Sequence, residues 1–205
     1  MASTSPLRRS PEHKPVALDA RAMDNLRYIR ETMEGAASFT AVPGWGGVII
    51  GAEALAASVI ASQQLTAERW LLTWVVAAAV AVLIGSAAML RKARQADTSI
   101  LSRPGRRFAL SLLPPLVAGA LLTVVLYRMG DTAILPGLWL ILYGAGVVSG
   151  GAFSVRIVPA MGLVFMAMGA LALFSPASWG NVYMAVGFGG MHLIFGSVIA
   201  WRHGG

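Results

Sequence analysis

Six long apolar runs, separated by short polar stretches, dominate the pattern of hydrophobic and polar positions along the chain. Each run has roughly 17–21 residues, and a helix of that length rises far enough to cross a hydrocarbon core of about 30 Å. Because lipid offers the backbone no hydrogen-bond partner, such runs are expected to be helical. The predicted spans are 44–61, 70–90, 108–127, 136–155, 158–174 and 182–201.

Composition favours the same class of protein. Hydrophobic residues make up 57% of the chain and charged residues 12%, and the mean hydropathy is +0.69. Soluble domains carry about 25% charged residues. We therefore predict an all-α integral membrane bundle of six transmembrane helices with an N-terminal cytoplasmic amphipathic helix, and the lipid bilayer as its first partner. The sequence contains no cysteine, which excludes disulfides and thiolate metal sites.

The chain divides into three predicted segments. Residues 1–17 contain Pro, Ser and Arg without periodicity, which predicts a disordered cytoplasmic tail. Residues 18–39 are predicted to form an amphipathic juxtamembrane helix, and residues 44–201 the six-helix transmembrane domain. The longest predicted loop is 91–107, in which Pro104 and Gly105 indicate a turn.

Basic residues are distributed unevenly across the predicted membrane. Fourteen of the sixteen Lys and Arg residues lie on the side that carries both termini, and Arg69 and Arg128 lie on the other side. Basic flanks stay in the cytoplasm, so both termini are predicted to be cytoplasmic. Since these charges border apolar spans, they act as orientation signals. We therefore expect no nucleic-acid partner despite the net charge of +7.

The segment 18–39 carries an apolar stripe with helical spacing. Its members are Leu18, Ala22, Leu26, Ile29, Met33 and Ala36. The opposite side mixes acidic and basic residues, whereas interfacial lipid-binding helices usually present a strongly basic face. A mixed face suits protein contact better, so Leu26, Ile29 and Met33 are candidate docking residues for a protein partner or for a second copy in a homo-oligomer. The alternative is a short helix that lies on the bundle without a partner.

Two adjoining stretches resemble the start of a group of uncharacterised bacterial multi-span inner-membrane proteins. The first reads Ile-Arg-Glu-Thr-Met-Glu over 29–34. The second reads Phe-Thr-Ala-Val-Pro-Gly over 39–44 and is followed by Gly46 and Gly47. The resemblance implies a bacterial inner-membrane location and no particular activity.

Two ionisable residues within the predicted spans are the main candidates for a functional site. Glu53 lies nine residues after Gly44, and His192 lies nine residues before Trp201. Both are therefore about 13–14 Å from the cytoplasmic boundary. A carboxylate at this depth costs at least about 2.5–3.5 kcal/mol. If the first and sixth spans are neighbours, the two side chains are expected to pair, either as a proton- or ligand-responsive site or as a structural contact.

Arg156, at the inner end of the fourth span, is the third candidate. Its side chain is expected to reach the headgroups by snorkelling, and the alternative is that it lines a pocket for an anion or a lipid headgroup. Small residues four apart predict close helix packing in two of the spans, at 47–51 and at 146–150.

No catalytic signature accompanies these residues. The chain lacks the His-Glu-x-x-His motif of metalloproteases and a phosphate-binding loop. We therefore expect a non-enzymatic protein without cofactor or metal. Its expected role is a sensor or regulatory subunit that binds a small ligand, a proton or a protein partner within the bundle. The alternative is a small solute or ion transporter or channel that uses Glu53 at mid-membrane.

The charge asymmetry predicts a topology that reporter fusions can check. Fusions at Gly205 and after Arg94 should report the cytoplasm, and a fusion after Ala67 should report the exterior. Paired fluorescent-protein and phosphatase reporters distinguish the two sides. An exterior signal at Gly205 would mean that the number of spans is odd, and would refute the six-span arrangement.

Overall fold

The structure is a computed structural model that describes residues 18–36, 39–96, 99 and 101–203. These residues form helices and turns, with one isolated bridge between Phe39 and Ser154. The predicted tail 1–17 lies outside the described residues. The helices are α1 (Leu18–Ala36), α2 (Gly44–Ser62), α3 (Ala67–Gln95), α4 (Arg103–Met129), α5 (Leu135–Gly151), α6 (Ile157–Phe174), a 3-10 turn (Ala177–Trp179), α7 (Gly180–Met184), a π-helix (Ala185–Met191) and α8 (His192–His203).

The chain separates into two units, Met1–Ala37 and Ser38–Gly205, and α1 is the helix of the first unit. The predicted amphipathic helix extends to 39, but Phe39 lies outside the helix, in the bridge to Ser154. On α1, the docking candidates Leu26, Ile29 and Met33 are each more than half exposed. These three side chains of the stripe are therefore largely uncovered by the residues that the structure describes.

The second unit is a helical bundle built around α2 and α5. The helix α2 packs against α3 and α8, and α5 packs against α4, α6 and α7. The segment Ala177–His203 runs as one long helix that changes from 3-10 to α, to π and back to α. We call it the interrupted helix. It contacts both α2 and α5 and therefore joins the two halves of the bundle.

Glycine contacts fix the direction of each helix. Along α5 and α6, Gly137 lies against Gly169 and Gly144 lies against Gly162, so the two helices are antiparallel. The helices α2 and α8 are antiparallel as well. Gly47 contacts Gly196, and Gly51, one turn later on α2, contacts Leu193, which is earlier on α8. Successive helices of the bundle therefore alternate in direction.

The start of α2 and the end of α8 consequently lie at one end of the bundle, which we call the terminal end. The turns after α2, α4 and α6 lie at the opposite end, which we call the far end. At the terminal end, the Nζ of Lys92 donates to the carbonyl oxygen of Val42 at 2.9 Å and to that of His203 at 3.0 Å. This lysine thus joins the end of α3 to the start of α2 and the end of α8.

The segment before α2 is also held at the terminal end. The amide N–H of Phe39 donates to the carbonyl oxygen of Phe153 at 2.7 Å, and the hydroxyl of Ser154 donates to the carbonyl oxygen of Phe39 at 2.6 Å. The ring of Phe39 packs against that of Phe108 on α4, with centroids 5.1 Å apart. The chain entering α2 is therefore tied to the α5–α6 turn and to α4.

The predicted close packing at small residues is confirmed. Gly47 and Gly51 on α2 face the interrupted helix, and Gly146 and Gly150 on α5 face the backbone of α4. In lipid, close backbone approach at small residues supplies the van der Waals contact that holds helices together. At Gly51 a Cβ would lie 2.8 Å from the backbone of the interrupted helix, so glycine is required there by space. At Gly47, Gly146 and Gly150 a Cβ would lie 3.1–3.2 Å from the facing backbone, which is a tight contact.

Five helices in the described part of the chain are long and apolar enough to cross a membrane: α2, α3, α4, α6 and the interrupted helix. The helix α5 is also apolar but has only 17 residues. Several apolar helices of this kind indicate a multi-pass membrane protein, as the sequence predicted.

Three predicted boundaries were wrong. Most of the loop 91–107 is helical, because Ser102 caps α4 and Pro104 occupies its first turn, where a missing N–H costs nothing. The span 136–155 ends early, at Gly151, since the chain turns there to meet Phe39. The span 182–201 belongs to a longer helix, Ala177–His203.

Substitution of Gly162 tests the packing of α5 against α6. A Cβ at Gly162 would lie 2.7 Å from both the carbonyl oxygen of Gly144 and the amide nitrogen of Val148. Gly162→Ala should therefore lower the midpoint of thermal unfolding in detergent, with an overpacking cost of about 1–3 kcal/mol. In the matched variant Gly85→Ala the nearest atom is a side-chain carbon of Ile50 at 3.5 Å. That midpoint should stay level or rise, because Ala favours helix over Gly. Equal midpoints would contradict the packing.

Candidate functional site

A buried histidine and a partly buried tyrosine form the central polar contact of the bundle. His192, the first residue of α8, is 5% exposed. Its Nε2 lies 2.7 Å from the hydroxyl oxygen of Tyr143 on α5. Its Nδ1 lies 2.9 Å from the carbonyl oxygen of Phe188, four residues earlier in the chain. Both ring nitrogens of His192 are thus occupied.

The two partners determine which nitrogen carries the proton. A carbonyl oxygen only accepts hydrogen bonds, so Nδ1 of His192 must be the donor to Phe188. In the neutral ring, Nε2 is then the acceptor, and the hydroxyl of Tyr143 donates to it. Neither nitrogen is left for a metal ion or for a substrate. In the described part of the chain, no group of three or more His, Asp or Glu side chains is placed to bind a metal.

Aromatic rings enclose the pair. The ring of Phe165 on α6 meets Tyr143 edge-on, with centroids 4.9 Å apart, and meets His192 edge-on at 5.3 Å. The ring of Phe188 lies 5.2 Å from that of Tyr143. Phe165 has no exposed surface. The hydrogen bond therefore lies in an apolar setting, where an unpaired partner would be costly.

The position of His192 depends on the π-helix that precedes it. Ala185–Met191 is π-helical and contains Gly187, Gly189 and Gly190. Gly187 lies against Leu140 of α5, and Gly189 against Leu55 of α2. The extra residue in a π turn rotates the following helix, and such turns occur frequently at functional sites. Here the π-helix ends at Met191, and the next residue, His192, contacts Tyr143 on α5.

A second polar cluster holds the interrupted helix at the far end of the bundle. The side-chain oxygen of Asn181 on α7 accepts from the indole N–H of Trp70 at 3.3 Å and of Trp74 at 3.2 Å. Its amide nitrogen donates to the carbonyl oxygen of Ser58 on α2 at 2.9 Å. Asn181 thus connects α7 with α2 and α3. In the described residues, no buried side-chain nitrogen or oxygen lacks a hydrogen-bond partner.

The expected pair of Glu53 and His192 is not formed, although the helices that carry them, α2 and α8, are neighbours as the hypothesis required. Glu53 lies two residues beyond Gly51, which faces the interrupted helix. At about 100° per residue, Glu53 therefore lies about 200° away, on the side of α2 nearer to α3. His192 uses both nitrogens with Tyr143 and Phe188.

The other predicted site residues lie apart from this pair. Glu53 is half-buried, and no described residue forms a hydrogen bond or ion pair with its carboxylate. Arg156 is exposed at the turn before α6. The structure therefore brings together none of Glu53, His192 and Arg156.

Sequence reasoning missed Tyr143 and Asn181. Tyr143 lies in the middle of a predicted span, far from the interfaces where tyrosine is common. This unusual position is the sequence feature that indicates a polar contact at Tyr143. Asn181 precedes the predicted start of the sixth span and read as a loop residue. Its role depends on the helix starting earlier than predicted.

Comparison with protein families, curated proteins and solved structures finds no match to this chain.

Removing the hydroxyl of Tyr143 tests the pair. Tyr143→Phe leaves a buried ring nitrogen of His192 without a partner, which should destabilise the bundle by about 1–3 kcal/mol. His192→Leu should have a similar cost, because it leaves the hydroxyl of Tyr143 unpaired. The double variant should cost clearly less than the sum, as measured by unfolding in detergent.

Tyr183→Phe is the matched control. The hydroxyl of Tyr183 contacts that of Ser175 at 2.9 Å, and the hydroxyl of Ser175 also contacts the carbonyl oxygen of Leu171, so Ser175 keeps a partner in the variant. Its removal should therefore have a smaller effect. Additive costs for Tyr143→Phe and His192→Leu would show that these two residues do not share a hydrogen bond.

Proposed function

We propose that the chain is a non-enzymatic sensor or regulatory subunit of the bacterial inner membrane. The observation that carries the proposal is the hydrogen bond between His192 and Tyr143, which lies directly after a π-helix in the long helix Ala177–His203. In this proposal α5 completes six spans, because 17 residues rise about 25 Å, near the lower limit for crossing. Both termini are then cytoplasmic.

Three attachments along the interrupted helix support a switching role. At the far end Asn181 bonds to α2 and α3, in the middle His192 bonds to Tyr143, and at the terminal end the carbonyl of His203 accepts from Lys92. The π-helix lies between the first two attachments. Conversion of its wide turn to an α turn would rotate α8 relative to α7 by about one residue, or about 100°. That rotation would break the His192–Tyr143 bond.

The signal would leave through the terminal end. There, Phe39 is bonded to the α5–α6 turn, and Val42 is bonded to Lys92. The helix α1 immediately precedes this segment in the chain. Its exposed residues Leu26, Ile29 and Met33 would contact a protein partner or a second copy.

Glu53 supports a second candidate function, a small solute or ion transporter or channel. Its carboxylate is half-buried on an apolar helix, and no described residue bonds to it. An ionisable group at such a depth is costly and is commonly functional. The close glycine contacts between α2 and α8 and between α5 and α6 oppose a path along these two seams.

Co-purification tests the regulatory role. Mild-detergent extraction followed by mass spectrometry should recover a protein partner or a second copy in stoichiometric amount. The double variant Leu26→Asp/Ile29→Asp should lose that partner, because a charge on the apolar stripe opposes contact. The matched control Arg27→Asp, on the polar side of α1, should retain it. A lone monomer for the unaltered chain would contradict the proposal.

Vesicles distinguish the second candidate. Proteoliposomes with a pH-sensitive dye inside would report proton movement, and potassium with valinomycin would set the potential. A transporter that uses Glu53 should dissipate a pH gradient, and Glu53→Gln should abolish that flux. Flux of this kind without a co-purifying partner would favour transport over regulation.

A further inference from the structure

A pocket opens at the far end of the bundle, where three turns meet. Its volume is about 270 Å³, slightly below the usual range of about 300–1,000 Å³ for small-molecule sites. The turn after α2 contributes Gln64, the turn before α5 contributes Thr132, and the 3-10 turn contributes Ser178. Trp70 and Asn181 also line it. This volume suits a small molecule.

We propose that this pocket binds a small neutral ligand rich in hydroxyl groups, of the polyol or monosaccharide class. Of the side chains that line it, all from the described part of the chain, none is charged. An ion placed there would find no counter-charge among the lining side chains. The amide of Gln64 and the hydroxyls of Thr132 and Ser178 each present donors and acceptors. Such groups match a ligand whose hydroxyls also do both.

The pocket offers aromatic surface as well as polar groups. The indole of Trp70 stacks on that of Trp139, with centroids 5.8 Å apart and planes 7° apart. The N–H of Trp70 is already bonded to Asn181, so Trp70 presents mainly apolar ring surface to a ligand. A ring with one apolar C–H face and hydroxyls at its edge would satisfy both the indole and the polar groups.

Asn181 links the pocket to the interrupted helix. The side-chain nitrogen of Asn181 has two hydrogens, and the carbonyl of Ser58 takes one of them. A ligand hydroxyl that accepts the second hydrogen would join the hydrogen-bond network that connects α7 with α2 and α3. Ligand binding here would be the input to the proposed sensing function, and the inference rests on that function for the response to binding. Binding itself is measured separately.

Calorimetric titration of the full chain in phosphatidylcholine nanodiscs tests the proposal. The probes are glycerol, methyl β-D-glucopyranoside and myo-inositol, with glucose 6-phosphate as the charged counterpart. At least one neutral probe should bind saturably, and glucose 6-phosphate should bind more weakly. Adding phosphatidylglycerol to the nanodisc distinguishes a free ligand from a lipid headgroup, because a glycerol headgroup seated in the pocket would compete with the neutral probes.

Matched variants show whether binding occurs in this pocket. Gln64→Ala should weaken binding about tenfold through loss of a hydrogen-bonding amide, whereas Gln63→Ala, at a neighbouring residue outside the lining, should not. Ala133→Trp should fill the pocket and abolish binding, whereas Met129→Trp, at the exposed last residue of α4 and outside the lining, should preserve it.

Three results would overturn the inference: no saturable binding of any neutral probe in either lipid, tighter binding of glucose 6-phosphate, or binding that survives Ala133→Trp. After any of these results, the proposed function would still be tested by partner recovery and by the comparison of Tyr143→Phe, His192→Leu and their double variant. Conversely, probe binding with no partner recovered would retain the pocket and refute the regulatory role.

Discussion

Close contact between glycine-lined backbones determines how this bundle is assembled. Helices surrounded by lipid gain no hydrophobic stabilisation from meeting each other, so contact must come from packing at short range. Gly144 and Gly162 each lie where a Cβ would meet the carbonyl oxygen of the other at 2.6–2.7 Å. Such contacts permit one register, because a shift by one residue would place a side chain between the backbones. The registers of α2 and α5 against the interrupted helix follow from the same constraint.

The polar contacts depend on those registers. His192 meets Tyr143 only because the interrupted helix is held against α5, where Gly187 lies on Leu140. Hydrogen bonds in an apolar interior are specific, since an unpaired donor or acceptor there is costly. The glycines bring the helices together, and the histidine–tyrosine bond then distinguishes one rotation of α8 from others. Because the π turn beside this bond could convert to an α turn, the helix has a second possible geometry.

The sequence predicted the helical membrane class, the approximate positions of the apolar helices and the glycine contacts of α2 and α5. These follow from local composition, because each apolar run must satisfy its own backbone in lipid. The partner of His192 could not be predicted in the same way. Helical rise predicts equal depth for Glu53 and His192, but depth says nothing about rotation, and Glu53 lies on another side of α2. The prediction of a turn at Pro104 was wrong, because proline is common both in turns and in the first turn of a helix.

The pairing of α2 with α8 also constrains how the chain is made. The helix α8 begins at His192, about 130 residues after α2 ends at Ser62. At about 5–20 residues per second, synthesis of that stretch takes roughly 7–26 s. During this interval the glycine face of α2 is in the membrane before its partner exists, while the glycine-rich helices α5 and α6 are inserted. Pairing of α2 with α8 is therefore a late step of assembly. Until α8 has been made, α2 must avoid pairing with another helix.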